Sequence, residues 1–417
     1  MKKYILLILL LALFFSCPEY SKNSSNDSDY KEPTTPPAAP SNLILDTISF
    51  CRIIVTWTDN SNNESEFIIE RSLNNNFSTF TEIQADANAT AYSDRQQLNS
   101  NTTYYYRIKA SNSAGDSNYS DIIDATTLPQ PSVPTGSLVA DHTVINMLRL
   151  GNIPISAIQT AKNNLHIGYG HTSHGSQLTS GMSGLVAFAN GDGLNGTYNS
   201  YSDLFSWNRG GTGGALDLRE GDEYNDGPMD HDCGYYPNWI NETREYLDDP
   251  ANYEINVIIW SWCGQASGYS EETMNEQYLE PMNELEQDYP DITFVYMTCH
   301  LNGTGLNGNL HLRNEQIRDY CTTNNKWLFD FADIESYDPD GIINFNAHFA
   351  DDNCDYDDDT SLPREEDGNW AIEWQNSHTQ DVDWYNCDSA HSQSLNANMK
   401  AYTAWWLWCR IAGWDGN

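Results

Sequence analysis

The chain has 417 residues, a formal net charge of −39 and 12% aromatic residues, with a mean hydropathy of −0.60. A field of that sign repels nucleic acid and anionic lipid, so neither is an expected partner. The aromatic content needs a core and argues against a disordered acidic chain, and the only long apolar run is N-terminal, which excludes a polytopic membrane protein.

That run, residues 4–15, follows Lys2 and Lys3 and is too short to span a bilayer. It reads as a signal peptide ending at Cys17, and Ser16-Cys17 resembles a lipoprotein cleavage site with Cys17 as the lipidated residue. The expected location is extracytoplasmic, at a bacterial cell surface or in the periplasm, with the membrane reached only through a lipid anchor. Plain secretion is the other reading. Residues 18–37 are rich in Ser, Asn, Asp and Pro and form a disordered linker.

Residues 38–128 carry short alternating runs at 42–45, 52–57, 67–70, 104–110 and 122–125, separated by turn clusters. Trp57, Leu98, Tyr104, Tyr106, Ile108, Ala110 and Asn112-Ser113-Ala114-Gly115 together resemble a fibronectin type III domain. The resemblance implies a β-sandwich with Trp57 and Tyr106 in its core, and a spacer or weak glycan-binding role. Residues 129–139 contain Pro129, Pro131 and Pro134 and read as a stiff linker.

From 140 to 417 apolar strands at 165–168, 255–260, 292–297 and 327–331 alternate with helical stretches from 177, at 271–287, 312–322 and 391–414. That pattern predicts an α/β three-layer fold with a mostly parallel sheet, whose ligands sit at the carboxyl ends of the strands. Ser173, in His171-Thr172-Ser173-His174-Gly175, follows the first strand. It has the position of a nucleophile and equally that of a helix N-cap. Asp388-Ser389-Ala390-His391 precedes the last helix. A carboxylate three residues before a histidine can hold its Nδ1–H and free Nε2 as a base, or simply cap the helix.

Together these features resemble the SGNH (GDSL-like) hydrolases. The resemblance implies Ser173 as nucleophile, His391 as base and Asp388 as its orienting acid, acting on acyl esters such as acetyl groups of polysaccharides, with no cofactor required. The Gly-Asp-Ser-Leu text and the Gly-x-Asn-Asp block are absent. Gln265 and Gly211, in the Gly-rich run 210–214, are the candidates to replace the missing oxyanion donors. His171 and His300 are candidates to line the substrate pocket. Trp207, Tyr235, Tyr236, Trp239 and Trp262 are candidates for sugar stacking or for core. No HExxH pair supports a three-histidine metal site. Asp355, Asp357 and Asp359 have the D-x-D-x-D spacing of a calcium loop, with Thr360 where that loop needs Gly. Eight cysteines remain after Cys17, without a CxxC pair, and their pairing is open. The competing function is a non-catalytic surface lipoprotein that grips glycans or a protein partner.

Overall fold

A computed structural model describes residues 32–131, 136, 138–221, 229–360 and 362–416. Cys17 and the N-terminal run lie outside the described residues.

The first module is a sandwich of two antiparallel sheets. β1 (Ser41–Thr47), β2 (Ile53–Thr58) and β5 (Ala91–Asp94) form one. β4 (Thr81–Asp86), β3 (Glu66–Ser72), β6 (Thr103–Asn112) and β7 (Gly115–Asp116) form the other, with β8 (Ile123–Thr126) also on β6. β6 shows how sequence makes the layer. Side chains alternate across a strand, so Tyr104, Tyr106, Ile108 and Ala110 all turn inward, against Trp57, Phe67 and Ile69. Tyr104 Oη accepts the Asn99 N–H at 2.8 Å, which closes the corner before β6. β5 is only four residues long and in β4 only Ile83 is buried, so neither shows the pattern of the others.

The second module holds a seven-stranded, wholly parallel sheet. Its strands are β9 (Val139–Ala140), β10 (His166–Gly170), β11 (Trp207–Asn208), β12 (Leu216–Glu220), β13 (Val257–Trp260), β14 (Thr293–Met297) and β15 (Trp327–Phe329), in the order β11-β12-β10-β13-β14-β15-β9. Val257 and Ile259 enter the core on one face, and Ile258 and Trp260 the core on the other. The sheet is therefore buried on both sides, which is why β13 reads as an unbroken apolar run. The helices Ser176–Asn190 and Ser394–Ile411 cover the first face, and Asn238–Asp248 and Asn309–Asn324 the second. The last helix begins at Ser394 and not at 391, because His391 has a φ of 62° and cannot continue a right-handed helix.

The chain leaves β10 for β11 and β12 on one side and returns to β13 on the other. This reversal at β10 makes its carboxyl end the crevice where a ligand would bind. The sandwich docks at the opposite end. Arg52 pairs with Asp291 at 2.7 Å, each 1% exposed, and donates to Ile255 O, while Arg95 lies over the Tyr289 ring. Asp291 and Ile255 sit just before β14 and β13. All eight described cysteines are unpaired thiols.

Candidate active site

Four strand ends and one distant loop meet at the crevice. The turn 171–175 follows β10, Cys263 follows β13, His300 follows β14, Glu220 ends β12, and His391 precedes the last helix. His391 Nε2 lies 2.9 Å from Ser173 Oγ, across 218 residues of chain. Both side chains reach solvent: His391 is exposed and Ser173 half-buried.

The turn is packed tightly from behind. Tyr169 Oη donates to Gly175 O at 2.9 Å. A Cβ at Gly175 would fall 2.4 Å from both His171 Cβ and Ser261 Oγ, so glycine is needed there for close approach. Gly175→Ala is expected to destabilise the fold by about 1–3 kcal/mol through overpacking. It should also displace Ser173, which a thermal melt alongside labelling of Ser173 would register. The Ser173 N–H makes no hydrogen bond to another described residue.

His391 is the outer member of three stacked imidazoles. Its ring lies 4.4 Å from that of His174, which lies 4.2 Å from that of His300. His174 Nε2 bonds Asp352 Oδ2 at 3.0 Å and its Nδ1 faces Cys263 Sγ at 3.3 Å. Cys263 Sγ is in turn 3.7 Å from Ser173 Oγ. Burial alone would lower the basicity of His174, but the bonds to Asp352 and Cys263 outweigh it and raise its pKa to about 9. The neighbouring His174 holds the Cys263 thiol down to about 7. His300 is pushed down by burial and then by the charge on His174. His174, Asp352 and His391 bring donor atoms within 4.8 Å of one another. Both nitrogens of His174 and Nε2 of His391 are engaged, with Cys263, Asp352 and Ser173, so the group forms a hydrogen-bonded array.

The other expected residues take varied places. Asp388 is exposed beside a neighbouring pocket, and among the described residues no hydrogen bond joins it to His391. His171 lines the cavity next to Ser173 and bonds Glu220 at 3.0 Å. His300 Nδ1 donates to Leu301 O, and its Nε2 is buried without a described partner. The Gly211 N–H donates to Asn208 O within its own turn. Gln265 Nε2 donates to Asp232, which also accepts from Thr172 Oγ1, so Gln265 reaches the turn of Ser173 through a carboxylate.

Asp355, Asp357 and Asp359 are not gathered as a loop around one point. Asp357 accepts the Asp359, Thr360 and Glu365 N–H groups, and Asp355 accepts from Asn353 and Asn369. Asp351, Asp355 and Glu366 do cluster, with the Arg364 guanidinium bonded to Asp351 and Glu366. Trp239 and Trp262 belong to the core, Tyr235 and Tyr236 are exposed, and Trp207 lines the cavity. Neither Cys263 nor Asp352 was singled out from sequence. Cys263 stands at a strand end, where ligands are expected, and Asp352 lies inside the acidic run whose regular spacing drew the calcium reading.

Beneath the site lies a fully buried polar hub. Lys400 Nζ bonds Glu335 Oε1 at 2.6 Å and also Gln177 Oε1. Gln177 Nε2 donates to Ala390 O, Glu335 accepts the Leu301 N–H, and Asn396 links Glu335 to Ser392. One ion pair thus ties down the helix after Ser173, the loop of His300 and the loop of His391.

No family model and no curated protein matches the chain. Solved structures that match include fibronectin type III domains, which cover between 21% and 28% of the chain. A Fn3-like protein from Clostridium thermocellum is 22% identical, covering 24% of this chain and all of that one, with a TM-score of 0.20. The fn3 domain of human contactin 1 is 21% identical, covering 28% and 100%, with a TM-score of 0.23. A titin fragment is 23% identical, covering 22% of this chain and 32% of its own length, with a TM-score of 0.20.

Proposed function

We propose that the protein is an extracytoplasmic serine esterase in which Ser173 is the nucleophile and His391 the base, and that it removes acyl groups, acetyl among them, from carbohydrate esters. The observation that carries this is the 2.9 Å approach of His391 Nε2 to Ser173 Oγ at the carboxyl end of the sheet. A cavity of about 590 Å³ opens beside the pair, walled by His171, Trp207, Arg209, Glu220 and Ala390. That volume suits a small ligand, and an indole wall suits a sugar face. The resemblance to SGNH hydrolases supports the same assignment.

In the reaction Oγ attacks the ester carbonyl while Nε2 takes its proton. The Ser173 N–H, which has no other described partner, is assigned as the donor to the developing oxyanion. Nε2 then returns the proton to the departing alcohol, and water releases the acyl group by the same route. Incorporation of a fluorophosphonate probe at Ser173, mapped by peptide mass, tests the reading. A folded protein that stays unlabelled there sinks it.

Asp388 is the carboxylate that chain order offers to His391. Because its bond to the ring is not formed in the structure, Asp388→Asn is expected to lower kcat by only about tenfold, well short of the roughly 10⁴-fold loss seen where such a carboxylate holds the imidazole. Steady-state kinetics on a short acyl ester measures the difference.

A further inference from the structure

We propose that Cys263, His174 and Asp352 form a thiol–imidazole–carboxylate triad beside Ser173, and that Cys263 is a covalent modification site for soft electrophiles and hydroperoxides. Nothing in the serine mechanism requires this arrangement. Sγ lies 3.3 Å from Nδ1 of His174, whose other nitrogen is held at 3.0 Å by Asp352. A carboxylate that fixes the far side of an imidazole sets its tautomer and stabilises the imidazolium, which in turn favours a thiolate. The thiol is half-buried just beyond the carboxyl end of β13.

The other described thiols have different surroundings. Cys51, Cys233, Cys299, Cys321, Cys354 and Cys409 are buried, and burial raises each of them. Cys387 is half-buried and burial pushes it up to about 12. The charged and titratable groups around the triad are few. Cys263 meets His174 and Ser173, while His174 meets Asp352, Glu335 and the two rings stacked on it, His300 and His391.

The chemistry closes without an added cofactor. With an alkyl iodide, an S–C bond forms, the C–I bond breaks and iodide leaves. With a hydroperoxide, sulfur attacks the terminal oxygen, an S–O bond forms as O–O breaks, and the leaving alkoxide takes its proton from His174. The cysteine ends as a sulfenic acid, oxidised by two electrons, and the hydroperoxide is reduced to an alcohol. Either product places new atoms against Ser173 Oγ, which is 3.7 Å from the sulfur. The thiol chemistry stands apart from the esterase reading, and only its consequence for turnover rests on that reading.

The test is iodoacetamide treatment of the native full chain across pH, with adducts mapped by peptide mass. The expected result is first labelling at Cys263, half-maximal near pH 7. At about pH 7.5 it should outpace Cys387 by on the order of 100-fold, the gain in thiolate outweighing the loss in nucleophilicity. Asp352→Asn should shift the midpoint upward, and dimedone should trap a sulfenic acid at Cys263 after hydrogen peroxide. Cys263 unlabelled in the native protein yet labelled in denaturant, or a midpoint near the ordinary thiol value, overturns the proposal. So does a midpoint indifferent to Asp352→Asn. Prior alkylation should suppress fluorophosphonate labelling of Ser173, and Cys263→Ser should remove that sensitivity. Untreated protein that never takes the fluorophosphonate counts against the esterase and leaves the thiol result intact.

Discussion

Ser173→Ala abolishes fluorophosphonate incorporation and lowers kcat on a short acyl ester by about 10⁴-fold or more, and His391→Ala does nearly the same. The two losses do not add, because nucleophile and base act as one unit. The double variant should therefore sit within about tenfold of either single one. Neither substitution touches the core, since His391 is exposed and Ser173 half-buried, so thermal melts should stay near that of the parent. The 2.9 Å bond makes this pair the largest functional effect expected in the molecule. Turnover of Ser173→Ala equal to that of the parent, on a panel of acetylated sugars and short esters, eliminates the serine mechanism.

The largest stability effect belongs to Lys400. Lys400 and Glu335 are both fully buried, and Lys400→Met leaves a carboxylate without its counter-charge. Removing one partner of such a pair costs about 3–5 kcal/mol, a fall in Tm of roughly 10 °C for a domain of this size. Adding Glu335→Gln removes the stranded charge and should recover most of that loss. Activity should not return with it, because the link from Lys400 to Gln177, and so to the loop of His391, is still missing. Calorimetry and kinetics on the single and double variants separate the two outcomes. Full recovery of both would show the hub to be stabilising only.

Much of this was legible in the sequence because the relevant physics is local. Unbroken apolar runs such as 257–260 signal a sheet covered on both faces, and the alternation from Tyr104 to Ala110 signals a half-buried strand. A rule of topology then pointed to strand ends, and the chain did bring Ser173 and His391 together there. What stayed hidden depends on long-range placement. β9 and β11 are two residues each and carry no periodicity. β12 contains Asp217 and Arg219, which read as polar until their mutual ion pair is seen. Asp352 lies 178 residues from His174, and its neighbours have the more conspicuous spacing. The residues read from sequence as oxyanion donors are the Ser173 N–H, a glycine of 210–214 and Gln265. The Gly211 N–H and Gln265 Nε2 are engaged with Asn208 O and Asp232, whereas the Ser173 N–H makes no hydrogen bond to another described residue.

The buried clamp between Arg52 and Asp291 has a bearing on how the two modules are oriented. It grips the amino ends of β13 and β14, whereas the crevice opens at their carboxyl ends. The sandwich is thus fixed behind the sheet, away from the crevice. Anything tethered through the sandwich is therefore held on the far side of the sheet from Ser173 and His391, and the approach to that pair stays unobstructed by the first module.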